Sequence, residues 1–139
     1  MSVNISKEYF LICENTLKSE DNKISVINIF DSINGDSLPL VFGPCSLAGS
    51  FVFTGSLKKE ASYPIDLKLY NPKGKIVNDL GVSTETFKVA PFEGQTKLGF
   101  SFNMPALILE DEGTYEFKVV IGNCEAQTKL RSQLGSRQS

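Results

Sequence analysis

Along almost the whole chain, apolar side chains recur at every second position, and no segment sustains the 3.6-residue period of a helix. A chain patterned this way buries its apolar faces by stacking extended strands, which restricts the fold to sheets packed on sheets. The cleanest case follows Pro64, where Ile65, Leu67 and Leu69 point one way and Asp66, Lys68 and Tyr70 the other. Leu98, Phe100, Phe102 and Met104 alternate in the same manner with Lys97, Gly99, Ser101 and Asn103. So do Cys45, Leu47, Gly49, Phe51 and Phe53 with Ser46, Ala48, Ser50, Val52 and Thr54. Tyr9 to Cys13 is apolar on both faces, as a covered strand would be. Ile24 to Ile33 is also apolar on both faces and suggests a central strand, bulged at Val26-Ile27. Lys75 to Val77 suggests a short return strand, and Thr86 to Val89, beside Pro91, an edge strand. Asn71-Pro72-Lys73-Gly74 and Gly122-Asn123 are turn signals, the second suited to a two-residue hairpin. The expected architecture is an all-β, antiparallel, two-sheet sandwich of about eight or nine strands. It occupies residues 1–130 as one domain, and the polar stretch 131–139 forms a frayed tail.

Composition narrows the functional classes. A length of 139 residues suffices for one self-sufficient core. The net charge is -2 and the basic residues are scattered, so nucleic acid is not an expected partner. No run has the length of a membrane span, and the first residues lack the features of a secretory signal, so membrane association is not expected and the location is taken as cytoplasmic. Cys13, Cys45 and Cys124 are an odd set without metal-binding spacing, and are expected as buried hydrophobes in a reducing compartment. The chain contains no histidine, which removes Ser-His and Cys-His nucleophilic pairs and the commonest metal ligand. No glycine-rich phosphate loop is present. The expectation is a non-enzyme with no cofactor and no metal. Glu110, Asp111 and Glu112 cluster, and a cation there would need further oxygens from Asp31, Asp36 or Asp79. A solvated corner of the sandwich accounts for the same cluster, so cation binding stays open at this point.

Within Leu107-Ile-Leu-Glu-Asp-Glu-Gly-Thr-Tyr115, the spacing Asp111-x-Gly113-x-Tyr115 leads into an alternating strand. Gly113 permits close approach or unusual φ, Tyr115 can return its hydroxyl to an upstream backbone group, and Leu107 can plug the end of the sandwich. Asp111 is expected to accept backbone hydrogen bonds in the turn. This segment resembles the tyrosine corner of immunoglobulin-like domains, which implies an immunoglobulin-like β-sandwich. Phe117 stands where a bridging cysteine would be, and tryptophan is absent, so the resemblance is to the disulfide-free branch. A second resemblance rests on Glu8-Tyr-Phe-Leu-Ile-Cys-Glu14, a polar turn, and Lys23 to Ile33 containing Phe30-Asp31, together with Asn71-Pro-Lys-Gly-Lys75. These are similar to a family of small uncharacterised bacterial and phage proteins. The turn here runs Glu20-Asp21-Asn22-Lys23 instead of an Asp-Gly-Lys-like sequence. The resemblance implies single-domain size and fold, and no activity.

One connection is unusually apolar: Leu38-Pro-Leu-Val-Phe-Gly-Pro44. Loops are normally polar, so Leu38, Leu40, Val41 and Phe42 are candidate anchors for a protein partner or a second copy of the chain. The alternative is that Leu40 and Phe42 close an open sandwich end, or that the segment is a short edge strand. The expected function is an intracellular binding or accessory protein working through protein–protein contact, with strand addition at Thr86 to Val89 as a second mode. A small-ligand module and a structural subunit of a larger phage-like assembly are the competing readings.

Overall fold

The computed structural model describes residues 3–20, 23–77 and 85–135. Among them the chain is all-β, with eleven strands: β1 (Asn4–Lys18), β2 (Ile24–Ile29), β3 (Ser32–Gly35), β4 (Leu40–Phe42), β5 (Cys45–Leu57), β6 (Ala61–Tyr70), β7 (Glu85–Val89), β8 (Phe92–Met104), β9 (Leu107–Leu109), β10 (Gly113–Ile121) and β11 (Cys124–Leu134). They form a four-stranded sheet β2-β1-β5-β8, a five-stranded sheet β3-β11-β10-β6-β7 and a two-stranded sheet β4-β9. No helix among the described residues is long and apolar enough to cross a membrane. The count of eleven exceeds the expected eight or nine because the apolar connection and the corner segment each contain a three-residue strand and Ile24 to Ile33 divides into two, while Lys75–Val77 supplies only a bridge.

One hydrophobic cluster joins the sheets. The four-stranded sheet contributes Phe10, Ile12, Leu47, Phe51, Phe53, Phe100 and Met104, and the five-stranded sheet Ile65, Leu67, Leu69, Tyr115, Phe117, Val119, Ile121 and Leu130. Completely burying a large apolar side chain such as Phe51 or Phe117 contributes about 1.5–3 kcal/mol. Small residues make room for the rings: Gly49 lies opposite Phe100, and a Cβ there would sit 2.5 Å from the Phe100 ring.

The other face of the four-stranded sheet is covered along β5. Ser46, Ala48 and Ser50 alternate with the core residues of β5, yet all three are buried. Their cover is the β1–β2 hairpin, which bends back over its own sheet. Thr16 shares a 2.5 Å hydroxyl hydrogen bond with Ser101 of β8, and Ile24 Cδ1 lies 3.1 Å from where a Gly99 Cβ would be. A bulge at Lys7/Tyr9 presents Glu8 on this face, where it meets Lys97 Nζ at 2.6 Å and accepts a hydrogen bond from Ser50 Oγ at 2.9 Å. These contacts, Lys97 first, hold the Glu8 carboxyl below its ordinary range.

Ile24 to Ile33 is not a single central strand. β2 is an edge strand, its pairing with β1 runs without a register shift through Val26 and Ile27, and the irregular residue is Asn28, at φ 55°. The chain then changes sheets. The Phe30 N–H donates to Ile12 O in one sheet, and Asp31 O accepts from the Arg131 N–H in the other. β3 runs parallel to β11, pairing Arg131 with Ser32 and Leu134 with Gly35, so the second sheet is mixed. This pairing also corrects the tail boundary: residues expected to fray from Arg131 onward are strand to Leu134, with Ser132 fully buried. Polar side chains there conceal a strand paired on both sides at Arg131 and Ser132 and with β3 alone at Gln133 and Leu134. Residues 136–139 lie outside the described residues.

The turns match expectation. Gly122, at φ 58°, opens the two-residue turn between Ile121 and Cys124. Gly74 N–H donates to Asn71 O at 2.9 Å. The return strand at Lys75–Val77 is reduced to one bridge, Ile76 to Tyr70. β7 sits at the edge of its sheet, as Pro91 suggested. All three cysteines are free and buried, and burial raises each thiol pKa, that of Cys45 to about 11.

Gly49→Ala is expected to destabilise the protein by about 1–3 kcal/mol through overpacking against Phe100. Gly99→Ala is expected to cost less, because the atom it meets is the mobile end of Ile24. Urea unfolding of both variants checks the order.

Candidate interaction surface

At one end of the molecule two turns lock together and carry the small third sheet. Tyr115 is 2% exposed, and its hydroxyl accepts the Asp111 N–H at 3.0 Å. The Asp111 amide is thus engaged, while its carboxylate makes no hydrogen bond or ion pair among the described residues, contrary to the acceptor role expected of it. Burial pushes the phenol above its ordinary pKa, and the hydrogen bond from the Asp111 amide opposes this. Gly113 has φ 133°, and a Cβ there would meet Pro72 at 2.9 Å, so the position requires glycine on both counts. Pro72 belongs to a turn that Asn71 organises, its Oδ1 accepting the N–H groups of Lys73 and Lys75, each at 2.9 Å. On the far side, Glu112 Oε2 accepts the Leu134 N–H at 2.8 Å.

Leu107 and Leu109, just before this corner, are buried and bring β9 across the end of the sandwich. β9 pairs with β4: Leu40 with Leu109, Val41 with Ile108 and Phe42 with Leu107. Gly43 rests against the backbone of Pro105 and Ala106, which closes that end of the pair. The period of two then sorts the apolar loop residues. Leu40 is buried against Gly35, and Phe42 is half-buried with its ring centroid 4.8 Å from that of Phe30. Leu40 and Phe42 thus turn toward the core on a short strand, as in the reading that has them closing the sandwich end. Leu38 is 39% exposed and Val41 66%.

The sequence pattern did not identify the residues that complete this surface. Ile108, directly opposite Val41, is 55% exposed, and Ile76 is 49% exposed. Ile108 sits in an apolar triplet, Leu107-Ile-Leu109, that resembles continuous core until its pairing with β4 is known. Ile76 and Ile108 line one cleft of about 350 Å³, with Asn71, Val77, Glu110 and Asp111. Leu134, also partly exposed, pairs with Gly35 beside Leu40. Among the described residues, five of the seven exposed large apolar side chains, Leu38, Val41, Ile76, Ile108 and Leu134, lie on or next to β4, β9, residues 75–77 and the end of β11.

Among the described residues no three His, Cys, Asp or Glu side chains gather to hold a metal ion. Glu112 is occupied by the Leu134 amide, and Asp79 lies outside the described residues.

Tyr115→Phe removes the acceptor of the Asp111 amide and is expected to cost about 1 kcal/mol, measured by chemical denaturation. An unchanged midpoint would show that the corner does not depend on the phenol.

A family model described as a family of unknown function (DUF6941) matches residues 8–131. No curated protein matches the chain. Among solved structures, a Pseudomonas fluorescens alkylpurine DNA glycosylase, AlkC, bound to DNA containing an abasic site analog, is similar at 9% identity with a TM-score of 0.43. The likeness covers 93% of this chain and 30% of that one, and carries no argument about function.

Proposed function

The chain belongs to that family of unknown function (DUF6941), and from this premise we propose that it is a non-enzymatic, cytoplasmic accessory protein that docks another protein on its apolar end. The observation that carries the reading is the outward pair Val41 and Ile108, exposed on a small sheet whose other side is core. Two β-branched side chains on a backbone held by pairing lose little entropy on docking, and a rigid aliphatic patch can act as an anchor for a partner. Ile76 shares a cleft with Ile108, and Leu38 and Leu134 add exposed apolar surface nearby in the fold. The buried free thiols support a reducing compartment. The tyrosine corner supports assigning the two large facing sheets to the immunoglobulin-like class. The absence of histidine supports a binding role over a catalytic one.

The test is affinity capture with the wild-type chain and with a Val41→Lys/Ile108→Lys double variant. Both residues are exposed, so the variant is expected to unfold within about 0.5 kcal/mol of wild type. A protein held by the wild type is expected to lose at least tenfold in affinity for the variant. The same proteins captured by both chains would contradict the reading. Sedimentation at micromolar concentration separates out the case in which the partner is a second copy.

A further inference from the structure

We infer that the cleft between β9 and residues 75–77 takes an extended segment of the partner, one that places aliphatic side chains beside a lysine or arginine. This rests on the docking reading above and specifies what part of the partner is recognised. The first observation concerns the backbone. β9 pairs with β4 and with no other described strand. Across the cleft, residues 75–77 are bonded on their far side to the end of β6: the Val77 N–H donates to Leu69 O at 2.8 Å and Lys75 O accepts the Asn71 N–H at 2.8 Å. Two short extended segments thus line one cleft, each paired on the side away from it. Such an opening is the geometry that strand addition uses, with main-chain hydrogen bonds supplying attraction and alternate side chains supplying selectivity.

The second observation concerns the walls. Ile108 and Ile76 flank the cleft with exposed aliphatic surface, so a β-branched side chain on an inserted strand would contact both as cross-strand neighbours. The third is charge. Glu110 and Asp111 line the cleft, and neither carboxylate joins an ion pair among the described residues. Lys73 and Lys75 stand on the adjoining turn and form no ion pair with them. A segment carrying a cationic side chain would neutralise this rim. The occupant that complements Glu110 and Asp111 is a basic segment of another protein, and a second copy of the chain is distinguished from it by sedimentation.

The probe is a blocked heptapeptide alternating lysine with valine, compared with its glutamate counterpart, titrated into isotope-labelled full-length protein. The lysine peptide is expected to shift amide resonances at 75–77 and 107–111, and to bind more weakly as salt rises. Glu110→Lys is expected to weaken it about tenfold and to confer binding of the glutamate peptide, while Ile108→Ser weakens the lysine peptide without conferring binding of the glutamate one. No shift with the lysine peptide, equal shifts with the two peptides, or shifts mapping elsewhere would overturn the inference. It separates cleanly from the docking reading. A captured partner lost from the Val41→Lys/Ile108→Lys chain but retained by Glu110→Lys would leave the docking face standing and remove the charged cleft.

Discussion

A single hydrogen bond, from the Asp111 amide to the buried Tyr115 hydroxyl, organises the end of the molecule on which the functional reading rests. Residues just before Asp111 must cross the end of the sandwich as β9, and residues just after it must enter β10 in the second sheet. A buried phenol without a partner would be costly, and a turn amide at this depth would be equally so. Each satisfies the other. The turn then holds β9 in place to pair with β4, and the pairing decides which apolar side chains become core and which face outward. Leu40, Leu107 and Leu109 are core for that reason, and Val41 and Ile108 are surface.

The same economy of space governs the four-stranded sheet. Gly49 admits Phe100 on the inner face, and on the outer face Ala48 is buried while the β1–β2 hairpin reaches across to Gly99 and Ser101 of β8, which stay exposed. The sheet is therefore buried on both sides through β5, with the core on one side and its own hairpin on the other. Bending β1 back over its sheet, rather than running it straight on, also brings the chain to the point where Phe30 and Asp31 pass from one sheet to the other.

Much of this was legible in the sequence, and the failures have physical causes. The period of two gave the strands of the core, because β6, β8 and β10 have one face against the cluster and one toward solvent. The spacing of Asp111, Gly113 and Tyr115 gave the corner, since each residue type has a narrow reason to be there. The apolar run Ile24 to Ile33 misled because a single uninterrupted pattern cannot report that its two halves pair with different sheets. The boundary at Arg131 misled because burial of Ser132 depends on β3 lying alongside, a contact about a hundred residues away in sequence. In the apolar loop, Leu38 to Phe42 announced that something was unusual, but which members stay exposed depends on a strand pair linking residues 40–42 to 107–109. Ile76 and Ile108 carried no signal of their own, since an isolated aliphatic residue looks the same in a core strand and at a surface.

Amide hydrogen exchange at Asp111 tests the central claim most directly. Asp111 lies in a turn, outside any strand, so solvent access alone would let its N–H exchange quickly. With the phenol oxygen as its partner, the Asp111 amide is expected to exchange at a rate comparable to the paired amides of β10. Exchange as fast as that of the neighbouring Glu112 amide would show that the corner is not held by Tyr115, and the placement of β9 and its outward apolar pair would lose its physical basis.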